Sequence, residues 1–187
     1  MSKRLRLFVV AIATLVLILG AIVFTGVTST RATQEMEARL EAVQRAAAAG
    51  AAGRAICEEV AERVAQDLPE LEKSENGSER VRKAYRALGD CQMLLGRFDQ
   101  AADAYAKVVF FEPEQARAHG DLARAYAQAG KQAQAMQHGH LAVQLAPNNW
   151  QAYRVLARVL ETGESYSEAL DAMRKAAALA PANQQAG

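Results

Sequence analysis

Ala116 to Pro147 reads ARAHGDLARAYAQAGKQAQAMQHGHLAVQLAP, and its closing proline is one of three set at a constant interval of 34 residues: Pro113, Pro147 and Pro181. A proline lacks an N–H and clashes with the carbonyl four residues back, so each one ends a helix. Their regular recurrence divides Arg82–Gly187 into units of about 34 residues, the signature of a stacked helical array. Three units follow: 82–115, 116–149 and 150–183, with a short tail at 184–187.

Aligned on their prolines, the units agree column by column. The first carries Tyr85, Leu88, Gly89, Ala101 and Tyr105; the second His119, Leu122, Ala123, Tyr126, Ala135 and Ala142; the third Tyr153, Leu156, Ala157, Leu160, Ala169, Met173 and Ala176. Gly89, Ala123 and Ala157 are small where the first helix of a pair must approach the second, and Ala101, Ala135 and Ala169 answer them. Bulky residues at helical spacing fill the surrounding layer. Gly96 and Gly130 suit a left-handed cap on the first helix. Gln92, Gly139 and Val108 depart from the columns, which weakens local packing and leaves the array intact.

These columns resemble the tetratricopeptide repeat (TPR), whose pattern runs W-x2-L-G-x2-Y, then A-x3-F, then A and P. The resemblance covers about Arg82 to Pro181 and implies an all-α solenoid of helix-turn-helix units that works by binding protein segments. In layout the chain also resembles membrane-anchored bacterial TPR proteins: the subunits of cytochrome c maturation and nitrite-reductase assembly, and the translocon-associated chaperone with one anchor.

Leu7 to Val27 is uncharged and has about the 20-residue length that crosses a bilayer as a helix. Lys3, Arg4 and Arg6 precede it and only Arg31 closely follows, so the positive-inside rule leaves residues 1–6 in the cytoplasm and the remainder on the far side. The expected localisation is the cytoplasmic membrane, single-pass, with a periplasmic C-terminal domain. A cleaved signal peptide is the rival; its apolar region is usually about 7 to 15 residues, shorter than this run.

Residues 33–72 are expected to form an acidic capping hairpin, one helix over about Gln34 to Ala49 and a second from Arg54 to about Gln66, ended by Leu68-Pro69. Ile56, Val60 and Val64 would share the buried face of the second helix. Met36, Leu40, Val43 and Ala47 form a narrow stripe on the first, so a short coiled coil is the alternative, though two heptads are few. The polar stretch Glu72 to Glu79 holds Asn76-Gly77 and reads as a flexible linker or turn.

The net charge of +1 over 187 residues speaks against a nucleic-acid protein. Cys57 and Cys91 allow two readings: a pair of small buried thiols, which is preferred, or a bridge from capping helix to first repeat. Neither belongs to a CxxC motif. His138 and His140 stand two apart and point to different sides of a helix, and His119 fills an aromatic column, so no metal site is expected. With no phosphate loop and no nucleophile constellation, neither an enzyme nor a cofactor is expected.

What the repeats offer is a groove along their first helices. Its expected residues are Lys83, Arg86, Asp90 and Met93 from the first unit, Arg117, Arg124 and Gln128 from the second, and Gln151, Arg154, Arg158 and Glu161 from the third. Arginine dominates, and its planar fork fits carboxylates on acidic side chains or at a peptide C-terminus. The expected partner is therefore another protein with an acidic or C-terminal segment. A homo-oligomer built through the last helix is the alternative, because nothing polar caps Leu170, Met173 and Ala177.

Overall fold

The computed structural model describes Gln34, Ala38, Glu41, residues 51–72 and residues 78–181. The chain divides into two compact units, Met1–Glu41 and Ala42–Gly187. Of the first unit, the three described residues are helical. The expected membrane span Leu7 to Val27 and most of the first hairpin helix lie outside the described residues. Among the described residues, no helix is long and apolar enough to cross a membrane.

The second unit is built from helices in its described part: α1 (Ala51–Glu72), α2 (Ser78–Leu95), α3 (Phe98–Phe111), α4 (Ala116–Gln128), α5 (Gln132–Leu145), α6 (Trp150–Thr162) and α7 (Tyr166–Leu179). Each packs on the next, giving three hairpins, α2–α3, α4–α5 and α6–α7, preceded by α1. In addition α4 touches α6 broadly, whereas no comparable contact joins α3 to α5 or α5 to α7. The first helices α4 and α6 thus lie closer together than the second helices α5 and α7.

Every hairpin turns the same way. The residue after the turn bonds five positions back, Arg97 N to Gln92 O, Lys131 N to Tyr126 O and Ser165 N to Leu160 O, all at 2.9 Å. This closure needs a left-handed residue, supplied by Gly96 (φ 76°), Gly130 (φ 74°) and, in the third unit, Glu164 (φ 60°). Each second helix ends two residues before its proline.

The interior is lined largely with alanine, so the few large side chains set the spacing. Tyr105 is fully buried against Gly89, where an added Cβ would sit 2.6 Å from the ring. Gly139, in the same column as Tyr105, lets Leu156 of the next unit come within 3.2 Å of its missing Cβ. Gln92 is buried with no partner for its Oε1 among the described residues, a cost of the missing aromatic.

Three sequence expectations are corrected here. The helix begun before Arg54 does not stop at Leu68-Pro69; it runs through Pro69 to Glu72. Cys57, Val60, Ala61, Val64 and Leu68 form one buried stripe on it, and burial of Leu68 carries the last turn past the amide that proline lacks. Ile56, expected on that face, is exposed and Cys57 takes its place. Likewise α2 begins at Ser78, so Glu79 belongs to its first turn, favoured by the helix dipole and by Lys83 at 2.7 Å.

Candidate groove on the first helices

α1 positions the first repeat. Cys57 and Cys91 are joined as a disulfide with Cα atoms 4.9 Å apart, so of the two sequence readings the structure holds the bridge. Tyr85 donates to Glu72 at 2.6 Å, and Arg97 reaches Glu58 at 2.8 Å. Burial and that acceptor push the Tyr85 hydroxyl up to about 12.

Two cavities open along α4 and α6. The first, about 310 Å³, is bordered by Arg117, Gly120, Asp121, Arg124, Gln151 and Arg154. A Cβ on Gly120 would meet only the Val155 methyl groups, at 3.8 Å, so the glycine keeps the floor open. The second, about 360 Å³, joins Met93, Phe98, Gln128 and Val159 to Arg124 and Arg158. Arg124 borders both.

The charges are unevenly spent. Asp121 holds Arg124 at 3.0 Å and Arg117 at 3.7 Å. Burial raises its carboxyl above the usual range against the pull of Arg124. Arg154 lies over the Trp150 ring at 4.7 Å, and Arg158 has no ion pair among the described residues. Two arginines pair with Asp121, and Arg154 and Arg158 border the cavities without an ion pair among the described residues, which leaves the groove cationic.

Of the residues expected from sequence, Met93, Arg117, Arg124, Gln128, Gln151, Arg154 and Arg158 border these cavities. The others do different work. Asp90 accepts the Tyr105 hydroxyl at 2.6 Å, which, with burial as the larger cause, raises that hydroxyl well above its ordinary range. Arg86 shares Glu112 with Arg82, each at 3.1 Å, and Lys83 pairs with Glu79. Glu161 is exposed and borders neither cavity. Sequence reasoning missed Asp121, although its spacing from Arg117 and Arg124 (i−4 and i+3) carried the signal. It also missed Phe98, which reaches the groove from a second helix, and the meeting of His119 with His138, whose Nδ1 atoms lie 2.9 Å apart. Among the described residues, no group of three or more His, Cys, Asp or Glu side chains could hold a metal.

Comparison with known proteins agrees with this architecture. Residues 70–111, 95–149 and 141–184 match the family described as Tetratricopeptide repeat. The solved structure MamA AMB-1 is 18% identical, covers 81% of this chain and 96% of its own, and superposes with a TM-score of 0.52. MamA MSR-1 is 22% identical over 74% of this chain and 92% of its own, with a TM-score of 0.47. At such identities the likeness speaks for the fold alone. No curated protein sequence matches the chain significantly.

Proposed function

We propose that this chain, which belongs to the tetratricopeptide repeat family, is a membrane-anchored adaptor whose first-helix groove holds an acidic or carboxyl-terminal segment of another envelope protein during complex assembly. Its repeats form a protein-interaction scaffold. The observation that carries the finer reading is one open cavity bordered by Arg117, Arg124 and Arg154, whose one lining carboxylate, Asp121, pairs with the first two only. A ligand carboxylate there meets guanidinium forks already held in place and adds the negative charge the groove lacks. The uncharged run Leu7 to Val27 supports the anchor, and the cations before it support a periplasmic domain. In this reading the chain acts by binding and not by catalysis.

Titration calorimetry with a glutamate-rich decapeptide tests it. Binding should weaken steeply with salt, and Arg124→Glu should cost about 2 kcal/mol or more. Equal affinity in the variant, or indifference to salt, refutes the groove. Protease treatment of spheroplasts tests the topology: the repeats should be digested, and their protection would refute a periplasmic domain.

One observation favours a second reading, a homo-oligomer. Tyr166, Leu170 and Met173 lie on one stripe of α7 and are each more than half exposed. If copies dock there, Leu170→Glu will convert an oligomer to monomer in light scattering; an oligomer that survives it is built elsewhere.

A further inference from the structure

Among the departures of the second repeat from its neighbours is one pair of positions. Where the first unit has Tyr85 and Ala104 and the third has Tyr153 and Ala172, the second has His119 and His138. Packing alone is therefore satisfied by an aromatic and an alanine.

Both ring nitrogens of the buried His119 are engaged. Nε2 lies 2.9 Å from the carbonyl oxygen of Pro113, and Nδ1 lies 2.9 Å from Nδ1 of His138. A carbonyl only accepts, so the neutral His119 carries its hydrogen on Nε2 and offers a lone pair at Nδ1. His138 must then donate from Nδ1, which leaves its own lone pair on Nε2. The two rings are nearly parallel, 18° apart, and Tyr126 stacks on His138 at 5.8 Å.

We propose that His119 and His138 form an acid-sensitive latch that holds α4 to α5 and to the turn at Pro113, and so ties the groove to pH. This rests on the reading of the α4–α6 groove as the binding site, because α4 borders both cavities. A first proton settles on Nε2 of His138 and leaves the latch bond in place. A second has one place to go, Nδ1 of His119, where it would face the Nδ1–H of His138. Two donors and two positive charges at that separation part the rings. Burial, and then the neighbouring His119, lower the basicity of His138. At His138 the folded chain thus takes up fewer protons than the unfolded chain below about pH 6.5. The latch contributes fully above that value and is lost as pH falls below it.

The pair is packed among α3 to α6. On α3, Asp103 and Lys107 are exposed, Asp99 pairs with Lys131, and Tyr105 is committed to Asp90. On α4, Arg117 and Arg124 both pair with Asp121, and Tyr126 meets the pair and has Lys131 over its ring at 5.8 Å. His140 of α5 is exposed, as are Arg154, Arg158 and Glu161 of α6. Tyr153 of α6 is half-buried beneath Lys175 of α7, and Glu112, beside Pro113, is held by Arg82 and Arg86. Among the described residues no carboxylate stands by to stabilise an imidazolium, and His119 is the one charged or titratable group acting electrostatically on His138.

The double variant H119Y/H138A installs the pair used by the neighbouring repeats. Amide exchange on the full chain, corrected for intrinsic rates, is compared at about pH 7.5 and about pH 5. Protection in α4 and α5 should fall by about tenfold or more in the wild type and stay level in the variant. An equal fall in both overturns the latch. Should the variant fold poorly, nitrogen chemical shifts of the wild-type imidazoles decide: His119 as the Nε2–H tautomer and His138 as Nδ1–H support it, and the opposite tautomers overturn it. The glutamate-rich decapeptide, measured on both proteins, tests the link to the groove. A loss of affinity at about pH 5 confined to the wild type supports the link. Equal affinities while the latch opens overturn the link and leave the latch itself standing, and a peptide that binds at neither pH refutes the groove alone.

Discussion

Single residues decide how closely these helices approach, and the substitutions that break the repeat pattern are the most informative. Glu164 occupies the position at which Gly96 and Gly130 stand in the other units, and it adopts the same left-handed backbone. For a residue with a Cβ that conformation costs about 1–2 kcal/mol, of which glycine would return part through its greater freedom when unfolded. Glu164→Gly should therefore stabilise the chain by about 0.5–1 kcal/mol, seen as a rise of about 2 °C in the thermal midpoint. Its neighbour Gly163 is small for another reason: a Cβ there would run into the Gln132 side chain, which donates to Val159 O at 2.6 Å. The displaced glycine is legible in the sequence as a one-residue shift, but the reason for the shift is a contact between repeats that no spacing records.

At the scale of the element, the periodic parts were readable and the aperiodic ones were not. The prolines placed the ends of α3, α5 and α7 within two residues because backbone chemistry acts locally. Pro69 misled for the complementary reason, since burial of Leu68 outweighed one lost backbone bond. Half the groove was legible through matching columns. Asp90 and Arg86 lay in those columns too, yet they were claimed by Tyr105 and Glu112, partners that become neighbours only on folding. The Cys57–Cys91 bridge is likewise a tertiary fact, and its effect is confined. Among the described helices α1 packs extensively on α2 only. Replacing both cysteines by alanine should cost about 3 kcal/mol, with amide exchange accelerated in α1 and unchanged in α4 to α7.

Across the whole molecule, stability is a chain of neighbour contacts, each helix leaning on the one before and after. α7 leans on α6 alone among the described helices and carries exposed Tyr166, Leu170 and Met173. Its amides should exchange at least about tenfold faster than those of α5, which is covered on both sides. An equal rate would mean that something covers α7, and so favours the oligomer. The same linear arrangement joins the two cavities, since the shared Arg124 borders both.

The stacking of Arg154 on Trp150 carries an optical consequence. The chain has one tryptophan, so its ultraviolet emission originates at a single indole beside the groove, with a cation 4.7 Å from the ring centre. Anything that draws Arg154 away changes the colour and yield of that light, and the protein thereby carries an intrinsic, label-free gauge of whether its groove is filled.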